Sequence, residues 1–239
     1  FYDLKAENNW QPDFKALEAL DTKKIKILWL NYPNMPTGAN VVVDTFDRLI
    51  SWAKSRNILL VNDNPYSFVL TKTPQSILSR PGANEVAVEL NSLSKSFNMA
   101  GWRVGMICGK KETIQSVLKV KSNMDSGMFF GIQQGAIEAL KAEYSWFEKL
   151  NLIYQKRRNL IEILVTKLGA SFDSKSVGMF VWAKLPEGSP DSETFIDKIL
   201  KEQNVFITPG TIFGSQGEGY IRFSLCLTEA TIKEAIKRF

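Results

Sequence analysis

Residues 86–105 read Val86-Ala87-Val88-Glu89-Leu90-Asn91-Ser92-Leu93-Ser94-Lys95-Ser96-Phe97-Asn98-Met99-Ala100-Gly101-Trp102-Arg103-Val104-Gly105. The apolar run at 86–90 predicts a strand, and Val104-Gly105-Met106-Ile107-Cys108 predicts the next. A parallel crossover needs a helix-length connection, and only a short polar segment joins these two. They are therefore expected to pair antiparallel. Upstream, Ile25, Ile27, Leu28, Trp29 and Leu30 suit a buried strand, as does Ile58-Leu59-Leu60-Val61. Between them Asp44 can cap a helix whose Phe46, Leu49, Ile50 and Ala53 recur at helical spacing. Strand, helix, strand makes a βαβ unit, expected right-handed. The predicted class is α/β, a mostly parallel sheet with flanking helices.

Helical patterns dominate from about residue 110 to 168. The last carries Phe147, Leu150, Tyr154, Ile161, Leu164 and Leu168 on one stripe and is long enough to bridge two domains. Beyond Gly169 the texture changes to short strands (Phe180–Leu185, Val205–Thr208, Tyr220–Leu225) and two amphipathic helices. Thr228 should cap the final helix, with Ile232, Ile236 and Phe239 facing inward. This tail reads as a small α+β domain. The expected division is a large domain over 1–143 and, over 144–239, a long linking helix with the small C-terminal domain. At the other end, Asn8-Asn9-Trp10-Gln11-Pro12-Asp13 reads as a turn feeding a helix around Phe14–Leu20. Nothing before it forms an element and the first residue is Phe1, so the protein is expected to have an upstream part outside this chain.

The 239 residues, 44% hydrophobic and 23% charged, allow a large buried core. Apolar runs are short and broken by charges, so none would span a bilayer, and no signal-peptide pattern is visible. Cys108 and Cys226 lie in apolar stretches and are expected to be reduced and buried in a cytoplasmic protein. Without a single histidine, the common zinc sites and Ser-His-Asp triads are excluded, and no metal is expected. The net charge of +5 is spread along the chain with no basic block among aromatics. That favours a solvated surface over nucleic-acid binding, and a small anionic ligand fits the same charge.

Three polar segments follow the first three strands: Asn31-Tyr32-Pro33-Asn34-Met35-Pro36-Thr37-Gly38, Asn62-Asp63-Asn64-Pro65-Tyr66 and Asn91-Ser92-Leu93-Ser94-Lys95. In open parallel sheets ligands bind beyond these carboxyl ends. An antiparallel fourth strand would bring Arg103 to the same edge. Taken singly, Asp63 is a turn residue or cap, Tyr66 packs at the edge and Ser92 and Ser94 shape turns. Lys95 and Arg103 are by default solvated. Their joint occurrence and order argue otherwise.

Asn34-Met35-Pro36-Thr37-Gly38, Asp63-x-x-Tyr66 and Ser92-x-x-Lys95 with Arg103 eight residues on resemble the signature of class I/II pyridoxal-phosphate aminotransferases of fold type I. Ser96-Phe97-Asn98-Met99-Ala100-Gly101-Trp102-Arg103 resembles the subgroup holding aspartate, LL-diaminopimelate and aromatic aminotransferases. The resemblance runs end to end but covers only the later two-thirds of a usual member. The portion outside it normally carries a glycine-containing phosphate loop, an aromatic residue stacked on the cofactor ring and a tyrosine given to the partner subunit.

The resemblance implies that Lys95 holds pyridoxal 5'-phosphate as a Schiff base and later shuttles a proton. Asp63 would keep the pyridine nitrogen protonated and Tyr66 would donate to the phenolic oxygen. Arg103 with Ser92 and Ser94 would bind the phosphate. Asn34 is a further cofactor-binding candidate, and Arg222 matches the arginine for the substrate α-carboxylate. The implied reaction is transamination between an L-amino acid and a 2-oxo acid by a homodimer whose sites lie at the subunit interface. A carbon–sulfur β-lyase on the same scaffold, a non-catalytic cofactor-binding domain of a regulator and a cofactor-free Ser–Lys hydrolase using Ser92 or Ser94 stay open.

One position departs from the pattern. Where the family has asparagine before Pro-Thr-Gly this chain has Met35, whose thioether donates no hydrogen bond. The phenolate is then expected to lose a donor, weakening substrate binding or raising the pKa seen in the cofactor's visible absorbance. Titrating that absorbance in full-length wild type and Met35→Asn tests this. An unchanged pKa with unchanged substrate affinity contradicts it.

Overall fold

The computed structural model describes residues 2–42 and 44–239. They form two compact units: Asp13–Pro33 with Val41–Glu148, and the chain up to Pro12 with Asn34–Asn40 and Lys149–Phe239.

In the first unit, α1 (Phe14–Ala19) starts at Asp13, whose carboxylate accepts from the Lys15 and Ala16 amides at 2.9 and 3.2 Å, a side-chain cap for two otherwise orphaned donors. β1 (Ile27–Leu30), α2 (Thr45–Arg56) and β2 (Leu59–Asp63) follow. Then come α3 (Ala83–Val86), β3 (Ala87–Ser92), α4 (Leu93–Ser96), β4 (Gly105–Gly109), α5 (Lys111–Met124) and α6 (Phe130–Leu140). The sheet order is β1-β2-β3-β4, with the first two pairings parallel and β3–β4 antiparallel. α2 buries Phe46, Leu49, Ile50 and Ala53, and Leu28, Leu30, Leu60, Val61, Ala87 and Val88 form the core of the strands.

Three expectations need correction. β1 is not buried on both faces: it is an edge strand in which Leu28 and Leu30 point inward while Ile27 and Trp29 are exposed. Asp44 occupies the N-cap position of α2 but makes no capping bond, because its backbone (φ −99°, ψ −2°) is already helical; a capping carboxylate reaches back to the first amides from extended backbone. Neither cysteine is buried. Cys108 sits on β4 and Cys226 in the turn after the last strand of the chain, both free and exposed. α5 buries none of its residues and α6 only Ala136.

α7 (Tyr144–Lys167) begins in the first unit and continues into the second. There follow β5 (Ser171–Phe172), β6 (Phe180–Lys184), α8 (Ser192–Gln203), β7 (Thr208–Pro209), β8 (Tyr220–Ser224) and α9 (Glu229–Lys237). The second sheet has the order β5-β6-β8-β7 and is antiparallel throughout. Thr228 caps α9 by accepting from the Thr231 amide at 3.2 Å, and Ile232 is buried, whereas Ile236 and Phe239 are only partly covered. The strand expected over 205–208 shrinks to β7. Its register, Thr208 opposite Arg222, would set Val205 opposite Leu225, already in the turn after β8. No helix among the described residues is long and apolar enough to cross a membrane.

Leu60 and Ile221 are fully buried in the two sheets. Replacing either by alanine is expected to cost about 2–5 kcal/mol of unfolding free energy, read from denaturant titrations of the full-length protein. A loss below about 1 kcal/mol would show that these sheets are not the cores of their units.

Candidate active site at one edge of the parallel sheet

Register fixes which residues leave the sheet together. Leu30 pairs with Asn62, Asp63 with Leu90 and Ser92 with Gly105. Asn31, Asp63, Ser92 and Arg103 thus emerge at one edge, the carboxyl end of β1, β2 and β3 and the entry to β4. Cross-links tie the emerging segments to one another. Asn31 Nδ2 donates to the Asp63 carbonyl at 2.7 Å, and the Asn64 amide donates to the Leu90 carbonyl at 2.9 Å. Ser96 Oγ donates to the Pro65 carbonyl at 3.4 Å, coupling the segment of Tyr66 to the helix of Lys95. Trp146 Nε1 holds the same helix through the Ser96 carbonyl at 3.3 Å.

Lys95 lies in the single turn of α4, half-buried, and among the described residues its amine makes no hydrogen bond or ion pair. Ser92 caps α4: its hydroxyl oxygen accepts from the Ser94 amide at 3.1 Å while its O–H donates to the Val104 carbonyl at 3.3 Å. Arg103 has a left-handed backbone (φ 56°) and an exposed guanidinium, one Nη of which donates to the Ala100 carbonyl at 2.9 Å. Tyr66 is buried. Asp63 reaches solvent at the end of β2, yet the protein packed around it displaces enough water to raise its carboxyl from the ordinary aspartate value.

Beneath this edge runs a polar layer that strand patterns do not announce. Asn62, wholly buried, accepts from the Tyr32 amide at 3.2 Å and donates to Glu89 at 3.2 Å. Glu89, also buried, takes a second bond from the Ile77 amide at 3.0 Å. One carboxylate therefore fastens β2 and the 77–79 turn to β3. A charged residue in the middle of the apolar run 86–90 is the one sequence signal that could have found it, since a buried carboxylate must be hydrogen-bonded.

Asn34 and Arg222 belong to the other unit. The Asn34 amide oxygen accepts from the Thr37 hydroxyl at 2.7 Å, inside a turn closed by Asn34 N–H to Ala39 at 2.8 Å and Gly38 N–H to Asn34 at 2.8 Å. Pro36 in this turn and Pro33 just before it both follow cis peptide bonds. Arg222 lies between the rings of Phe180 and Phe213, at 4.2 and 4.5 Å, and its Nη1 donates to the Met35 sulfur at 3.6 Å. Met35, the departure from the family pattern, is therefore one of the residues that touch the candidate carboxylate arginine.

A cationic guanidinium, two serines and a helix turn suit a phosphate group. A carboxyl held high by desolvation gains from a ring N–H⁺ set against it. The donor set at this edge fits pyridoxal phosphate.

The chain matches the family described as aminotransferase class I and II over residues 1–239. It is 40% identical to an LL-diaminopimelate aminotransferase of Aquifex aeolicus over 98% of its own length, covering 61% of that protein. Identity and coverage are the same for an LL-diaminopimelate aminotransferase of Halothermothrix orenii. Among solved structures, apo BacF from Bacillus subtilis superposes with a TM-score of 0.92 at 35% identity, over 99% of this chain and 61% of that one. The aspartate aminotransferase of Thermotoga maritima gives 0.87 at 27% identity, over 99% and 61%. The chain thus spans about three-fifths of the length of these relatives.

Asp63 also sets a stability test with a definite sign. Its folded pKa is raised, so ionising it costs stability; the cost is fully present above the folded pKa and vanishes below the unfolded one. Asp63→Asn should therefore raise the denaturation midpoint of the cofactor-free protein at neutral pH. That gain should fade as pH falls into the ordinary carboxylate range. A midpoint difference constant across this range contradicts the desolvated carboxyl.

Proposed function

This chain belongs to the family of class I and II aminotransferases, and from that premise we propose that the full-length protein is a cytoplasmic pyridoxal-phosphate-dependent enzyme moving an amino group between an L-amino acid and a 2-oxo acid. The observation that carries this reading is the single sheet edge at which Asp63, Ser92, Lys95 and Arg103 emerge with their segments cross-linked. When bound, pyridoxal phosphate supplies a carbonyl carbon for the amino group and an electron sink for the charge left on the substrate Cα.

The chain's own residues supply the rest. Arg103, with the hydroxyls of Ser92 and Ser94, would hold the phosphate, the Ser92 O–H turning from the Val104 carbonyl to do so. The Asp63 carboxylate would keep a proton on the pyridine nitrogen, and the Tyr66 phenol would donate to the ring oxygen. Lys95 would attach the cofactor and, as a free amine, would take the proton from the substrate Cα. Arg222, with the Phe180 and Phe213 rings against its guanidinium, would take the substrate α-carboxylate. The named relatives make LL-diaminopimelate the first amino donor to try.

A homodimer belongs to the same reading. Phe129, Phe130, Leu118 and Met124 on and beside α5 and α6 are exposed, and obligate interfaces bury surface of this kind.

A panel of amino donors and 2-oxo acids on the full-length protein is the test. Transfer from an L-amino acid to a 2-oxo acid is expected, and Arg222→Gln should raise KM for both substrates about 10- to 100-fold, the value of a charge-assisted bond to a carboxylate. Pyruvate release from cystathionine with no need of a 2-oxo acid, or no turnover of any pair, contradicts the assignment.

A further inference from the structure

Arg158, on α7, is only 8% exposed. Arginine reaches that depth when its guanidinium is hydrogen-bonded, and here every bond goes to one short stretch. Nη1 donates to the Ser176 carbonyl. Nη2 is directed at the Ser174 carbonyl at 2.8 Å, the Ser176 hydroxyl at 3.1 Å and the Asp173 carbonyl at 3.2 Å. The Phe172 ring lies 5.5 Å from the guanidinium carbon. Among the described residues no carboxylate oxygen lies within ion-pair distance of it, and Glu162 and Asp173 act on it only through space. The side chain therefore gathers the oxygens of loop 173–176 around one buried cation.

That loop is the wall against which the 34–39 turn is built. The Val177 amide donates to the Gly38 carbonyl at 2.8 Å. Gly38 has φ +70°, and a Cβ there would lie 2.7 Å from the Val177 carbonyl oxygen and 2.9 Å from Ser176 Cβ, so only glycine fits. On its other side the turn presents Met35, whose sulfur takes the Arg222 Nη1 bond at 3.6 Å. The sequence of contacts is Arg158, loop 173–177, Gly38, Met35, Arg222, all within one compact unit.

We propose that Arg158 is a positioning residue: it fixes loop 173–177 against the 34–39 turn, and so sets Met35 and the guanidinium of Arg222 for the substrate carboxylate. The inference rests on the proposed role of Arg222. Displacing a residue that binds the substrate equally in ground and transition states raises KM and leaves kcat nearly unchanged.

The test uses the full-length holoenzyme with Arg158→Lys, Arg158→Met and Ser176→Ala. For Arg158→Met, KM for amino donor and 2-oxo acid should rise at least tenfold with kcat within about threefold and cofactor absorbance unchanged. Arg158→Lys, which keeps the charge but not the fork, should fall between it and wild type, and Ser176→Ala should show a small rise of the same kind. Hydrogen exchange at the Gly38 and Ala39 amides should quicken at least tenfold in Arg158→Met while β2 stays protected. Unchanged KM and unchanged exchange at 38 and 39 overturn the proposal. So does a parallel loss of kcat and bound cofactor, or failure of both Arg158 variants to fold with Ser176→Ala silent. The exchange arm needs no turnover: a wild type without transaminase activity refutes the proposed function, whereas an active wild type with unaffected variants refutes this inference alone.

Discussion

The antiparallel pairing of β4 with β3 is the constraint on which the candidate site depends. Ser92 lies opposite Gly105, so the chain must leave β3, make the one turn of α4 and come back within the residues between them. Arg103 consequently stands at the edge where β2 ends in Asp63, and Lys95 rides on the turn between. Had β4 continued parallel, its first residues would lie at the opposite end of the sheet. The short connection therefore gathers a cation, an amine and a carboxyl at one edge with no long loop. Burial of Asn62 and Glu89 below it keeps the strand ends in register, because a one-residue slip would leave both polar groups unpaired.

Much of this was legible because the relevant signals are local. The α2 face of Phe46, Leu49, Ile50 and Ala53 is buried as its spacing predicts, and the brevity of 92–104 settles the direction of β4. Capping was legible only in part. Thr228 caps its helix, while Asp44 sits at the right position with the wrong backbone. Burial is not a property of local sequence alone. Ile27, Trp29 and Cys108 look internal by composition and are exposed on the two outer strands of a chain that spans about three-fifths of its relatives' length. The inclusion of Asn34–Asn40 in the same unit as Lys149–Phe239 has no local signature either. It depends on Gly38 meeting Val177, a contact between residues far apart in sequence.

Polar residues inside apolar runs were the least readable and the most informative. Glu89 interrupts an otherwise apolar strand and Arg158 lies in a helix with other basic residues, and each binds several partners. Composition assigns such residues to the surface by default. Their roles emerge only when donors and acceptors are matched one by one.

Lys95 as the attachment point of the cofactor is the claim from which the rest follows. Borohydride reduction of the full-length protein supplied with pyridoxal phosphate, followed by peptide mapping, tests it directly. The expected result is loss of the visible absorbance with a phosphopyridoxyl group on the peptide containing Lys95. A label on another lysine, or unlabelled Lys95 in a protein that transaminates, would contradict it.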